Sequence, residues 1–217
     1  EEISRISTGQ HYPLKKTTIV EKGEVQHIYT TDSPVTIYGD TDSVQGDSVI
    51  NTNFGLFEIW RLFETSTNIN VDSDKEHALF DDLMCLTYDP NTMKSIQLKV
   101  REIYRHRVTN KSRYQLTNDD SVLYVTGDHS CMVMRDNELI EVKPNQILST
   151  DKYISVDEYD ELYLHDANCV EVEPFEDEWV YDIVMEDNTI PYFFANNILV
   201  HNSNYYKILG VDNLDDA

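Results

Sequence analysis

Three consecutive residues near the C-terminal end, His201-Asn202-Ser203, carry side chains that could together break and remake a peptide bond. The Asn202 side-chain nitrogen can reach its own backbone carbonyl and close a five-membered succinimide, severing the chain after Asn202. His201 can supply the proton that the leaving group and the carbonyl oxygen require. Ser203 offers a nucleophilic hydroxyl. The same stretch, led in by Ile198-Leu199-Val200, also reads as an apolar strand ending in a polar turn, so it needs a partner elsewhere in the chain. A second group is Asp40-Thr41-Asp42-Ser43. Two carboxylates two residues apart on a tight hairpin can face one hard divalent cation. An acidic solvated turn is the other use of that pattern.

The elements that must position these groups are mostly strands. Short β-branched or aromatic runs fall at 83–88, 96–108, 113–117, 122–126, 131–135, 138–142, 153–156, 169–173, 180–186, 192–195 and 198–201. Turn residues separate them, among them Asp89-Pro90-Asn91, Thr109-Asn110, Asn118-Asp119-Asp120, Asp136-Asn137 and Asp187-Asn188. Many short strands at close spacing predict an all-β fold. The one helical spacing is at 54–63 (FGLFEIWRLF). The acidic stretch 157–168 reads as a surface loop. Residues 1–37 hold two possible strands, at 24–29 and 34–38, and too little apolar material for an independent core.

Composition narrows the function. With 40% hydrophobic and 11% aromatic residues the chain is globular rather than disordered. A formal net charge of -23, from 40 acidic and 17 basic residues, repels phosphate. That argues against free-standing nucleic-acid binding and against docking on an anionic membrane, and it serves solubility. Cys85, Cys131 and Cys169 have no CxxC spacing, which fits neither a disulfide framework nor a zinc site and suits a reducing compartment. The start EEISRIS has no leader pattern and no run reaches membrane-spanning length, so the expectation is a cytosolic fragment of a longer protein.

The string Tyr38-Gly39-Asp40-Thr41-Asp42-Ser43, led in by Val35-Thr36-Ile37, resembles the palm-domain metal motif of family B DNA polymerases. The residues after Ser43 do not continue that motif. The thread resumes at Ser203-Asn204-Tyr205-Tyr206-Lys207-Ile208, and deleting 43–202 leaves an uninterrupted YGDTD-SNYYKILG. The segment between resembles an intein of the Hedgehog/intein superfamily, a self-splicing insert. The resemblance rests on Ser43 with Gly46-Asp47-Ser48, on Thr126-Gly127-Asp128-His129, on Glu141-Val142-Lys143-Pro144 through Ile147-Leu148 to Tyr153-Ile154, and on Val180-Tyr181-Asp182-Ile183 with 193–202.

This resemblance implies the horseshoe-like all-β fold of that superfamily with one short helix near the insert start. It implies three parts: an N-terminal polymerase flank at 1–42, a splicing domain at 43–202, and a C-terminal flank at 203–217. It implies a reaction sequence as well. Ser43 attacks the carbonyl of Asp42, with His129 as proton donor and Thr126, in the block that includes Asp128, positioning the peptide or the oxyanion. Ser203 takes the acyl group, Asp182 helps couple the steps, and Asn202 cyclises with help from His201. No cofactor or metal is expected in the insert, with Asp40 and Asp42 binding metal only in the joined polymerase. The expected partners are the chain's own flanks, with no nucleic acid and no membrane. A monomer is expected, or two associated halves if the insert is naturally split near 67–75 or 157–168. The stretch 157–168 is too short for a homing endonuclease, so the segment reads as a mini-intein in host cytosol, in a cellular, phage or viral polymerase.

Two departures from the family pattern matter. Thr189-Ile190-Pro191-Tyr192 stands where the family often has a His before Phe-Phe-Ala, so Asn202 cyclisation is expected to be slow or conditional. Both nucleophiles are Ser, so the intermediates are oxyesters. Asp42, just before the scissile bond, is itself a possible source of side cleavage. Two other readings remain open at this point: a metal-binding polymerase fragment, and an autoprocessing domain that cleaves without ligation.

Overall fold

A computed structural model describes residues 42–72, 74–187 and 189–202, and, as backbone, the strands at 15–21, 24–30, 35–38 and 205–208. The chain divides into two compact units, Glu1–Gly39 with Asn204–Ala217, and Asp40–Ser203. In the first, β1 (Lys15–Glu21) and β2 (Glu24–Thr30) form an antiparallel pair, and β3 (Val35–Tyr38) pairs with the last strand of the chain, Tyr205–Ile208. Asp40 and Ser203 lie outside the described residues.

The second unit is a continuous strand network. Its first part comprises β4 (Val44–Gln45), β5 (Val49–Thr52), β6 (Gly55–Glu58), helix α1 (Ile59–Thr65), β7 (Ile69–Asp72), β8 (Lys75–Leu79), β9 (Met84–Asp89) and β10 (Lys94–Val108). Next in order are β11 (Lys111–Thr117), β12 (Val122–Thr126), β13 (Cys131–Arg135), β14 (Glu138–Val142), β15 (Lys152–Val156) and β16 (Leu162–Asp166). The last are β17 (Asn168–Phe175), β18 (Glu178–Met185), β19 (Tyr192–Ala195) and β20 (Ile198–His201). The long β10 joins two sheets: Lys94–Lys99 pairs with β9, while Val100–Val108 pairs with β18, with a register break between Val100 and Glu102.

Local chemistry explains the tight hairpins. Asp136-Asn137 between β13 and β14, and Asn196-Asn197 between β19 and β20, both have two consecutive positive φ values, the backbone of the hairpin turn that Asn and Asp tolerate best. Asn196 also fastens its turn to distant chain. Its Oδ1 accepts from Val49 N–H at 2.6 Å and its Nδ2 donates to the Val122 carbonyl at 2.6 Å. The core is built from Val44, Ile50, Leu116, Leu123, Val125, Val133, Ile183, Phe193, Ile198 and Val200, all fully buried. Each large side chain among them stabilises by roughly 1.5–3 kcal/mol.

Two expectations are corrected. The helix begins at Ile59, because Gly55 (φ +113°) closes a hairpin whose register Thr52↔Gly55 draws Leu56 and Phe57 into β6. Ile59, Leu62 and Phe63 then form its buried face, and the Ile59 and Trp60 N–H groups are satisfied by the Ser48 and Gly46 carbonyls at 2.8 and 3.1 Å. The stretch 157–168 is not all loop: β16 pairs with β15 from Lys152↔Asp166 to Val156↔Leu162. The acidic residues there lie in the turn and on the outer face, which hides the strand alternation.

Candidate active site

The short strand β4 carries Ser43 at its start into the middle of the network. It pairs with β12 (Val125↔Val44) and with β18 (Tyr181↔Val44). Carried one residue on, both registers place Thr126 and Asp182 beside Ser43. The Thr126 N–H donates to the Ser43 carbonyl at 3.1 Å, and the His129 N–H closes the turn onto the Thr126 carbonyl at 3.0 Å. This approach requires Gly46, since a Cβ there would lie 2.9 Å from Tyr181 Cε2.

Asp42, Ser43, Thr126, His129 and Asp182 are all buried. The Ser43 hydroxyl and both ring nitrogens of His129 have no hydrogen-bond partner among the described residues. Burial lowers the His129 pKa; the Asp42 carboxylate opposes the shift in part and His201 adds to it. His129 is therefore a neutral imidazole near neutral pH, with one nitrogen able to accept a proton and the other to donate one. Asp182 accepts from the Tyr104 hydroxyl at 3.2 Å and from the Ile183 N–H at 2.6 Å. Lys75 lies over the Tyr104 ring, 4.7 Å from its centroid, and burial lowers its pKa against the pull of Asp182 and Asp74.

The downstream residues arrive on β20, paired with β19 from Tyr192↔His201 to Ala195↔Ile198. His201 and Asn202 are buried, and the Asn202 Oδ1 has no hydrogen-bond partner among the described residues. The Asn202 N–H donates to the Pro191 carbonyl at 2.9 Å. The proline thus contributes by its backbone where no imidazole is available. The Tyr192 ring meets the His201 ring edge-on at 5.7 Å.

One residue touches both ends. The Ser130 N–H donates to Asp42 Oδ1 at 2.7 Å, and the Ser130 carbonyl accepts from the His201 N–H at 3.2 Å. The His201 ring faces Asp42 directly, with Nδ1 3.6 Å from Oδ2. Burial pulls the His201 pKa down, but the Asp42 contact and Glu141 more than offset it, and the net shift is upward. Lys143 completes the group: its Nζ donates to the Asp128 carbonyl at 2.6 Å and to Ser130 Oγ at 3.1 Å, and stands 3.9 Å from Asp42 Oδ1.

Asp42, Ser43, Thr126, His129, Asp182, His201 and Asn202 therefore share one buried region. Asp128 departs from expectation. Its carboxylate bonds Lys111 at 2.6 Å, and its backbone carbonyl is what holds Lys143. Sequence reasoning assigns no role to Ser130, Lys143 or Tyr104. Ser130 and Lys143 stand in or next to quoted motifs, and a search for donors flanking them would find both; Tyr104 has no local signal. Among the described residues no group of three or more His, Cys, Asp or Glu is arranged to hold a metal, and no helix is long and apolar enough to cross a membrane.

No family model matches the chain. It is 34% identical over 170 residues to a DNA polymerase of Thermococcus aggregans, a match that covers 75% of this chain and 9% of that protein. The chain thus spans under a tenth of the length of the curated relative it matches. Its structure is similar to the crystal structure of the PabCDC21-1 intein, with a TM-score of 0.64 and 18% identity over 75% of this chain and 99% of that one. The transcription factor IIB Mvu mini-intein gives 0.58 and 21%, over 76% and 99%. The Pab PolII intein gives 0.61 and 14%, over 73% and 100%. The all-β fold of the second unit is the fold of inteins.

Proposed function

We propose that this chain is a splicing precursor: a mini-intein, residues 43–202, flanked by segments of a DNA polymerase that it joins while excising itself. The observation that carries the reading is the meeting of both chain junctions at Ser130, beside the buried Ser43, His129 and Asn202, where the Ser43 hydroxyl and both His129 ring nitrogens have no hydrogen-bond partner among the described residues. A buried polar atom without a partner costs stability and calls for an explanation, which use in chemistry would supply here. The intein fold and the polymerase relative support the same reading.

In the first step the Ser43 Oγ attacks the Asp42 carbonyl carbon. The new C–O bond replaces the C–N bond, and the freed Ser43 nitrogen takes up a proton. The neutral His129 can take the hydroxyl proton at one nitrogen and deliver one to the amine from the other. The Thr126 N–H, bonded to the Ser43 carbonyl, holds the scissile region in register. Ser203 then attacks the ester carbonyl, displacing the Ser43 oxygen, and Asp182 is the group beside Ser43 to take part in that exchange. The Asn202 Nδ2 attacks its own carbonyl carbon and expels the Ser203 nitrogen, with His201 supplying the proton. The ester on Ser203 passes to the adjacent amine, leaving a peptide bond. Each step exchanges one acyl bond for another, so no energy source enters. Bringing the groups together in one buried site makes each transfer intramolecular.

The test is the intact mass of the purified chain during incubation. Ser43–Asn202 should leave as one species, together with a joined product of 1–42 and 203–217. Ser43→Ala should abolish the joined product. Asn202→Ala should stop the reaction at a branched ester that hydroxylamine cleaves. A wild-type mass that stays unchanged refutes the reading.

A further inference from the structure

The Asp42 carboxylate belongs to the upstream flank, yet it is buried, with 1% exposure, among groups of the insert. A buried carboxylate is expensive unless it is paired and hydrogen-bonded. Here Ser130 supplies a backbone N–H at 2.7 Å to one oxygen, with the Lys143 ammonium 3.9 Å away, and the His201 ring lies 3.6 Å from the other. The insert holds these partners independently of Asp42. Lys143 starts a short 3-10 turn at Pro144–Gln146, its N–H bonded to Gln146 Oε1 at 3.1 Å and its Nζ to Asp128 and Ser130. His201 is fixed by its β19 pairing and its N–H bond to Ser130.

Building on the splicing reading, we infer that the insert carries a recognition pocket for the side chain preceding it, made by the Ser130 amide, Lys143 and His201, which selects a carboxylate of aspartate length. The pocket makes Asp42 a specificity-determining residue of the upstream flank. It also makes the same carboxylate a positioning group for His201 at the downstream junction, so a wrong residue at 42 is felt at both ends. Glutamate places its carboxylate one methylene too deep for a closed pocket. Asparagine keeps an acceptor for the Ser130 N–H and loses the charge that faces Lys143 and His201.

The test compares the full chain with Asp42→Asn, Asp42→Glu, Asp42→Ala and Lys143→Met by the rate of joined product. Loss of one partner of a buried charge pair should slow joining by about tenfold or more for Asp42→Ala and Asp42→Glu, with Asp42→Asn between these and wild type. Lys143→Met should slow the wild-type flank by a larger factor than it slows the Asp42→Ala chain, where only its bonds to Asp128 and Ser130 remain to be lost. Joining rates of Asp42→Ala and Lys143→Met within twofold of wild type overturn the inference. A readout independent of splicing is the NMR titration of His201 in a chain carrying Ser43→Ala and Asn202→Ala. His201 is faced by Asp42 and Glu141, with His129 and the Tyr192 ring nearby. Asp42→Asn should move its pKa down, and an unchanged titration overturns the pocket. A wild-type chain that never joins its flanks refutes the splicing reading instead, and the titration still decides the pocket.

Discussion

Replacing Tyr104 by Phe tests how the buried Asp182 carboxylate is held. The substitution removes one oxygen from a side chain that is itself buried, so the ring packing against His77 and His106 is retained. The group lost is the hydroxyl that donates to Asp182 Oδ2 at 3.2 Å. A hydrogen bond to a charged group contributes about 1.5–3 kcal/mol, and a buried acceptor deprived of a donor costs a similar amount. The length of this bond puts the effect at the lower end, about 1.5 kcal/mol, which is about tenfold in any step that needs the carboxylate in place. Urea unfolding of a chain blocked by Ser43→Ala and Asn202→Ala gives the change in stability, and the joining time course of the unblocked chain gives the rate. A double-mutant cycle with Asp182→Asn isolates the pair, and its coupling energy should be close to the single-mutant loss. A Tyr104→Phe chain that is within about 0.5 kcal/mol of its parent, splices at the wild-type rate and shows no coupling to Asp182→Asn refutes the argument.

The remaining predictions concern acid, thiols and the Thr126–His129 turn. Burial takes the His106 pKa down to about 4, and burial also lowers that of His129. The unfolded chain therefore binds protons near pH 6.5 that the folded chain refuses, so stability falls as pH drops from about 6.5 towards 4, by at most about 1.4 kcal/mol per pH unit for each group. His106→Gln should flatten that slope in urea titrations of the blocked chain at several pH values. His201, shifted the other way, stabilises below about pH 6.5 and loses that contribution as pH rises through its folded value. Cys85 and Cys131 are buried with thiol pKa values pushed up, and burial raises Cys169 to about 12, so iodoacetamide at neutral pH should leave joining intact, as mass spectrometry of label and product would show. Gly127→Ala would place a Cβ 2.8 Å from Ser112 Cβ and 3.3 Å from Tyr114 Cε2, so it should cost about 1–3 kcal/mol in unfolding and slow joining with it.

Much of this arrangement can be read without coordinates, because it is local chemistry. The strands at 192–195 and 198–201 stand where their aromatic and β-branched runs put them, and Asp136-Asn137 turns β13 into β14 as its residue types require. The reactive set around Ser43, the Thr126–His129 turn and His201-Asn202 depends on residue identity and short spacing, which one chain displays. The helix start and β16 escape a local reading because a hairpin register at Gly55 and acidic residues on an outer face override the local pattern.

The junction contacts could not be read this way. Asp42 meets Ser130, Lys143 and His201 across long separations in sequence, and Tyr104 meets Asp182 only through the β10–β18 register. A pairing register is set by the packing of the whole network and leaves no mark at either residue alone. The directions of the His106, His129 and His201 pKa shifts likewise depend on burial and on charges brought in from other strands. Residue order thus fixes which groups can react and where the insert begins and ends in the proposed reading. The packed network fixes which of them meet, which imidazole has its pKa lowered and which has it raised, and that Asp128 holds Lys143 through its backbone while Lys143 faces the junction.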